Sequence, residues 1–216
     1  MPKICGVITE NNADAVKAVE PLVDLFETRI DLVGEGWQEL VKRLQKPWIA
    51  CNRSADEGGR WQGNETERIV QLLQAIELGA EIVDIELRTG NLAKILPALK
   101  KKTKCLISWH DLLKTPSLDE MKNIVNRQLK AGADICKVVT TAQTTADNGT
   151  VLQLIAEFPG VKLVSLAMGP LGMVSRVLCP LVGGEFTYAS IGSGKESAPG
   201  QMTVAELRKI YGMVRE

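Results

Sequence analysis

The sequence predicts an α/β fold, a single-domain (β/α)8 (TIM) barrel over residues 1–216. Three observations lead there. Short apolar runs alternate with longer amphipathic stretches along the whole chain, which calls for a parallel sheet covered by helices. Eight such units fit into 216 residues, near the lower size limit of a barrel, roughly 200 residues. The rival open, doubly wound sheet lacks its signature. Thr9-Glu10-Asn11-Asn12 stands where a glycine-rich first turn belongs, and neither G-x-G-x-x-G nor G-x-x-x-x-G-K-[ST] occurs.

The units run in order. Strand Ile4–Thr9 precedes helix Asn12–Val19, and strand Leu22–Ile30 precedes helix Trp37–Leu44. Strand Pro47–Asn52 leads to helix Glu65–Leu78, Ile82–Glu86 to Leu92–Lys101, and Cys105–His110 to Leu118–Ala131. Strands Ile135–Val139, Leu163–Ala167 and Phe186–Ser190 alternate with helices Thr144–Phe158, Leu171–Leu181 and Val204–Met213. Punctuation supports the boundaries. Leu78-Gly79-Ala80-Glu81 and Ala131-Gly132-Ala133-Asp134 repeat one device, a helix ending on glycine before a buried strand. Pro116-Ser117 and Thr144 are helix starts.

Composition excludes several classes. Apolar residues make up 45% and charged residues 24%, too apolar for a disordered chain. Twenty-six basic residues balance 26 acidic ones, which argues against a nucleic-acid partner. The one basic run, Lys100-Lys101-Lys102-Thr103-Lys104, reads as cations at a helix C-terminus. No apolar stretch is long enough to cross a bilayer, and Met1-Pro2-Lys3-Ile4-Cys5 lacks a signal-peptide layout. The five cysteines form no C-x-x-C pair and are expected to be buried thiols in a reducing cytoplasm. With His110 the single histidine, a zinc site is not expected.

A barrel carries function at the C-terminal ends of its strands. Glu27 and Arg29, two apart, share the face that points into the mouth, while Phe26, Ile30 and Leu32 take the other. Arg53 follows the third strand, and two arginines on adjacent strands suit a carboxylate. Asp84 and Glu86 make one face of the fourth strand acidic and need partners, for which Lys137, Arg53 or His110 could serve. His110 closes the fifth strand with the one side chain that titrates near neutrality. Lys137 interrupts the apolar sixth strand. Desolvation favours its neutral amine, a nucleophile toward carbonyls; the competing reading is a purely structural ion pair. Arg176 adds a third cation after strand seven, and the glycine-rich segment Gly192–Gln201 reads as a phosphate loop or a hinged lid.

These residues, in this order, resemble the type I 3-dehydroquinate dehydratases of the shikimate pathway. The matching pieces are Phe26-Glu27-Thr28-Arg29-Ile30-Asp31, Arg53-Ser54-Ala55-Asp56-Glu57-Gly58-Gly59 and Ser108-Trp109-His110-Asp111-Leu112-Leu113-Lys114-Thr115-Pro116. Ala133-Asp134-Ile135-Cys136-Lys137, Met168-Gly169 through Ser175-Arg176, and Ser197-Ala198-Pro199-Gly200-Gln201 complete them. The resemblance implies a barrel that dehydrates 3-dehydroquinate to 3-dehydroshikimate without metal or cofactor. It implies that Lys137 forms an imine with the substrate ketone, that His110 is the general acid and base, and that Glu57 pairs with and orients it. Arg176 would bind the substrate carboxylate, and Glu27, Arg29, Arg53, Ser197 and Gln201 would contact substrate. A homodimer is one assembly the resemblance allows. Two other readings compete: a lysine-dependent aldolase with a phosphate site at Gly192-Ser193-Gly194, and a non-catalytic barrel that captures a small acid.

Overall fold

The structure, a computed structural model, describes residues 1–214. Eight strands are present among them: β1 (Ile4–Ile8), β2 (Leu25–Arg29), β3 (Trp48–Cys51), β4 (Ile82–Glu86), β5 (Lys104–His110), β6 (Ile135–Thr141), β7 (Leu163–Met168) and β8 (Thr187–Ser190). Helices α1 (Ala13–Val19), α2 (Ile30–Val33), α3 (Trp37–Val41), α4 (Glu65–Glu77), α5 (Leu92–Lys100), α6 (Leu118–Ala131), α7 (Asp147–Ala156), α8 (Met173–Leu178) and α9 (Val204–Met213) lie between and after them. All ladders are parallel, and β1 pairs with both β2 and β8, so the sheet curls into the expected (β/α)8 barrel, a single domain. The ring is nearly closed. Among the described residues β7 and β8 share no ladder, and the backbone N–H of Glu185 donates to the Leu163 carbonyl at 2.9 Å across that seam.

Local chemistry sets the element ends. Ser117 and Glu120 form a reciprocal capping box at α6, as do Thr203 and Glu206 at α9. Gly132 ends α6 at φ 101°, a left-handed conformation that costs glycine little. Two expectations need adjustment. The second strand begins three residues late, because Pro21 lacks an N–H for the ladder and folds Glu20–Leu22 into a 3-10 turn. That strand stops at Arg29; Ile30 turns into α2, so Leu32 leaves the strand's outer face. The helix expected over Leu171–Leu181 is three short pieces, with Pro170 and Pro180 in the flanking 3-10 turns.

The strands alternate as a barrel requires. Outward residues Ile4, Phe26, Trp48, Val83 and Ile107 pack beneath the helices. Inward residues change character along each strand. Leu25, Ile49, Ile82, Leu106 and Ile135 fill the lower interior. Two residues further along each strand stand Glu27, Cys51, Asp84, Ser108 and Lys137; the register pairs Cys51 with Asp84 and Ser108 with Lys137, and the side chains of the set converge in the interior. The apolar floor therefore raises polar groups to the C-terminal mouth and seals them from water below.

Candidate functional site

The mouth is built from the strands upward. Lys137 is 5% exposed. Its Nζ lies 2.9 Å from Oδ2 of Asp84, 3.5 Å from Oε1 of Glu27 and 4.2 Å from the centroid of the Tyr188 ring. Asp84 is held further by Arg53 Nη2 at 2.6 Å and by the Ser108 hydroxyl, which donates to Oδ1 at 2.6 Å. Arg53 also reaches Glu86 at 3.0 Å, and Glu86 is clamped from behind by Arg68 at 2.6 Å. Arg29 grips Asp31 with Nε and Nη2, at 2.9 and 2.7 Å. Every charge on this side has a partner.

That arrangement corrects one expectation. Burial pushes the Lys137 amine toward the neutral form, but Asp84 and Glu27 override it and raise its pKa above the ordinary lysine value. The resting amine is an ammonium. Conversely, Arg53 and Lys137 outweigh burial at Asp84 and hold its carboxyl far below the usual range, so Asp84 is a poor proton acceptor. Glu27, Cys51 and Asp84 offer ligand atoms within 4.8 Å of one another, but the cation they face is this ammonium. Arg29 and Arg53, expected to take a substrate carboxylate, are engaged by acids of the chain itself.

His110, on β5 beside Lys137's strand, meets Glu57 from the 3-10 turn Ala55–Glu57. Oε2 of Glu57 accepts the His110 backbone N–H at 3.0 Å and lies 2.7 Å from Nδ1. Burial and the nearby Arg53 and Lys137 charges push the imidazole well below its ordinary pKa, so it is neutral at pH 7. Burial raises the Glu57 carboxyl to about 7, with Arg53 and Arg88 partly offsetting the effect. When Glu57 is ionised, Nδ1–H donates to it and Nε2 keeps its lone pair.

The opposite wall differs. Arg176, on α8, is 2% exposed, and among the described residues it has no acidic partner. Its Nη2 donates to the Pro199 carbonyl at 3.3 Å, Nε is buried without a hydrogen bond, and burial alone lowers its pKa to about 10. An anion would relieve that desolvation. Beside it, the Ser197 N–H and hydroxyl both donate to Oε1 of Gln201, at 2.8 and 3.2 Å. The loop carrying them is seated by Gly169 N–H donating to Pro199 O at 3.0 Å, and Gly200 sits at φ 75° where a Cβ would lie 2.3 Å from the Gly169 oxygen.

One cavity of about 330 Å3 collects Glu27, Arg29, Arg53, Glu57, His110, Lys137, Arg176, Ser197 and Gln201, all nine residues expected at the site. Val139, Leu166 and Met168 line its apolar flank. Gly192, Ser193 and Gly194 are not among the lining residues, so no phosphate loop faces this cavity. Sequence reasoning missed Arg68, Asp31, Ser108 and Tyr188. Arg68 carried a signal: it stands four and seven residues before Leu72 and Ala75 on the buried stripe of α4, where an arginine needs an acid. Tyr188, one of few aromatic residues in a strand, gave no such sign.

Fold and cavity together define a barrel enzyme whose mouth closes around a buried lysine. Residues 4–216 match the model of the type I 3-dehydroquinase family, and the chain belongs to that family. The chain is 45% identical over 215 residues to the 3-dehydroquinate dehydratase of Dehalococcoides mccartyi strain BAV1, covering 99% of this chain and 96% of that protein. It is 37% identical to the 3-dehydroquinate dehydratase of Methanocaldococcus jannaschii over 219 residues, covering 98% of each. Among solved structures it is similar to the 3-dehydroquinate dehydratase of Enterococcus faecalis, with a TM-score of 0.80 at 27% identity, covering 98% of this chain and 93% of that one.

Proposed function

We propose that this protein dehydrates 3-dehydroquinate to 3-dehydroshikimate through an imine on Lys137, with His110 as proton carrier, Glu57 as its orienting partner and Arg176 as the carboxylate anchor. One observation carries the reading: a lysine sealed from water faces the same cavity as a histidine–carboxylate pair and an arginine that has no acidic partner among the described residues. The reaction fits this arrangement. The substrate carboxylate meets Arg176, which fixes the ring so that its ketone faces Lys137. Lys137 passes a proton to Nε2 of the neutral His110, and its nitrogen pair forms a bond to the carbonyl carbon while the C=O pair moves onto oxygen; that oxygen then takes one proton from the nitrogen and the other back from His110. The carbonyl oxygen leaves as water, giving a protonated imine. His110 Nε2 then removes a proton from the adjacent carbon, and the electron pair enters the iminium to form an enamine. The enamine pushes out the β-hydroxyl, which takes the proton from His110 and departs as a second water. Hydrolysis of the conjugated imine consumes one water and restores Lys137, so the net loss is one water. The iminium is the electron sink, and the reading calls for no metal or organic cofactor.

Glu27, Arg29, Arg53, Ser197 and Gln201 complete the substrate contacts: Ser197 and Gln201 hold polar groups toward the ring, and Arg53 keeps Asp84 in place behind Lys137. Five buried free cysteines support work in the reducing cytoplasm, and the balanced charge supports a small-molecule substrate rather than nucleic acid. Among the described residues no helix is long and apolar enough to cross a membrane. The exposed apolar side chains Leu171, Met173 and Val174 support pairing as a homodimer.

The deciding experiment traps the imine. Incubation with 3-dehydroquinate and borohydride is expected to add the reduced product mass to one peptide, mapped to Lys137. Turnover without an adduct on Lys137 refutes the covalent reading.

A further inference from the structure

Arg88 follows β4 and is not among the residues lining the cavity. Its side chain is half exposed, yet its head is placed by three neighbours. The guanidinium lies 5.2 Å over the Trp109 ring, a cation–π contact. Nη1 is 3.5 Å from the carbonyl oxygen of His110, and Nε is 3.9 Å from Oε1 of Glu57. That oxygen is buried and accepts no hydrogen bond, whereas Oε2 of the same carboxylate engages the backbone N–H and Nδ1 of His110. Glu57 thus faces the histidine with one oxygen and a surface cation with the other.

We propose that Arg88 is a positioning residue for the Glu57–His110 pair, its charge favouring the ionised Glu57 that keeps Nε2 of His110 open. The proposal rests on the acid–base reading of His110 given above. Other charges also face Glu57. Arg53 favours its carboxylate; Glu86 and Asp84 of β4 oppose it, as does burial. Arg53 is committed to Asp84 and Glu86, whereas among the described residues the one acid within ion-pair reach of Arg88 is Glu57. A carboxyl poised near pH 7 responds to a small change in field. If Glu57 takes up a proton it donates to Nδ1, the ring proton moves to Nε2, and the base is lost.

The test is the pH profile of kcat/KM for 3-dehydroquinate, which reports groups on the free enzyme. The parent, Arg88→Gln, Arg88→Lys and Glu57→Gln are measured at low and high salt, with urea midpoints confirming folding. In Arg88→Gln the acid limb is expected to move up by roughly half a unit, the size of a solvent-facing charge at this distance, with the high-pH plateau unchanged. Activity one unit below the limb then falls about threefold. Arg88→Lys is expected to restore the parental limb, and salt is expected to raise the limb of the parent but not of Arg88→Gln. An unmoved limb in Arg88→Gln, or no restoration in Arg88→Lys, overturns the proposal. Glu57→Gln separates the two failures. A parental profile in that variant defeats the acid–base reading itself, whereas a lost limb there with an unmoved Arg88→Gln defeats the Arg88 assignment alone.

Discussion

The two walls of the barrel mouth obey different rules. On the β2–β5 side, with Lys137 reaching in from β6, acids and bases alternate through Arg29–Asp31, Lys137–Asp84–Arg53 and Glu86–Arg68, and each ion has its counter-ion within about hydrogen-bond distance. On the opposite side Val139, Leu166 and Met168 form an apolar flank, and among the described residues the buried guanidinium of Arg176 is left to a single carbonyl. The first wall is finished before anything binds; it holds an ammonium in place and sets its proton. The second is unfinished, and a bound anion would complete it. Rigidity and appetite for ligand are thus separated across roughly one cavity width.

The largest expected effect breaks the finished wall at its reacting atom. Lys137→Ala removes the proposed nucleophile together with one of the two cations on Asp84 and the cation facing Glu27. Turnover should fall by roughly 10^4-fold or more, as when the nucleophile of a cooperating set is lost. Stability should fall with it by about 3–5 kcal/mol, because buried carboxylates lose a cation. Stopped assays and urea unfolding read the two losses. A variant that keeps measurable turnover would remove the lysine from the chemistry.

The next contrast sets the walls against each other. Arg53→Met leaves Asp84 and Glu86 short of a partner, so it should destabilise the empty protein by about 3–5 kcal/mol. Arg176→Met removes a buried charge that has no acidic partner among the described residues, so stability should hold or rise. Its kcat/KM should instead drop thirty- to thousandfold, roughly 2–4 kcal/mol for a buried charged contact to ligand. Equal destabilisation in the two variants would show that Arg176 is a structural cation after all.

The difference between walls also explains what the sequence could reveal. The strand ends Glu27, Asp84, His110 and Lys137 were legible because polar residues interrupt apolar runs at fixed spacing, and a barrel dictates where they point. The curled sheet and its interior gradient followed from the same alternation. The pairing of those charges was not legible, since Arg53 could have faced substrate or Asp84 and only the register decides. The protonation of Lys137 was misjudged for that reason: burial is a local property, but the carboxylates that outweigh it come from β2 and β4. Arg68 entered from a helix whose other buried residues are ordinary. The breaks at Pro21, Pro170 and Pro180 shifted element ends by a few residues without moving a site residue.

Glu57 gives a prediction of intermediate size in pH. Its folded pKa, about 7, lies above that of an unfolded glutamate. The raised value means the folded state binds the proton more tightly, so the associated stability is full below roughly pH 4.5 and is lost as pH rises through 7. The loss is about 3 kcal/mol in order of magnitude. Urea midpoints of the parent should therefore decline over that window more steeply than those of Glu57→Gln. Activity should run the opposite way, rising as Glu57 ionises and Nε2 of His110 opens. Parallel stability curves would place the Glu57 carboxyl back in the ordinary range.

The smallest expected effect sharpens the unfinished wall. Gly200 lets the Ser197–Gln201 segment lie on the loop after β7, where Pro199 receives both Gly169 N–H and Arg176 Nη2. Gly200→Ala forces a Cβ toward the Gly169 oxygen in a left-handed conformation, which costs roughly 1–3 kcal/mol locally. The segment has few buried apolar groups of its own, so that strain should lift it from its seat and leave the barrel intact. KM should rise several-fold while kcat changes less, because Ser197 and Gln201 are displaced but Lys137 and His110 are not. Hydrogen exchange makes the same point without mutation. If Gly192–Gln201 acts as a lid, its amides should slow when a substrate analogue completes the charge of Arg176, while those of β2–β5 stay as they were. Equal protection in both states would mean that the segment is a fixed part of the wall, and Gly200→Ala would then act through Arg176 alone.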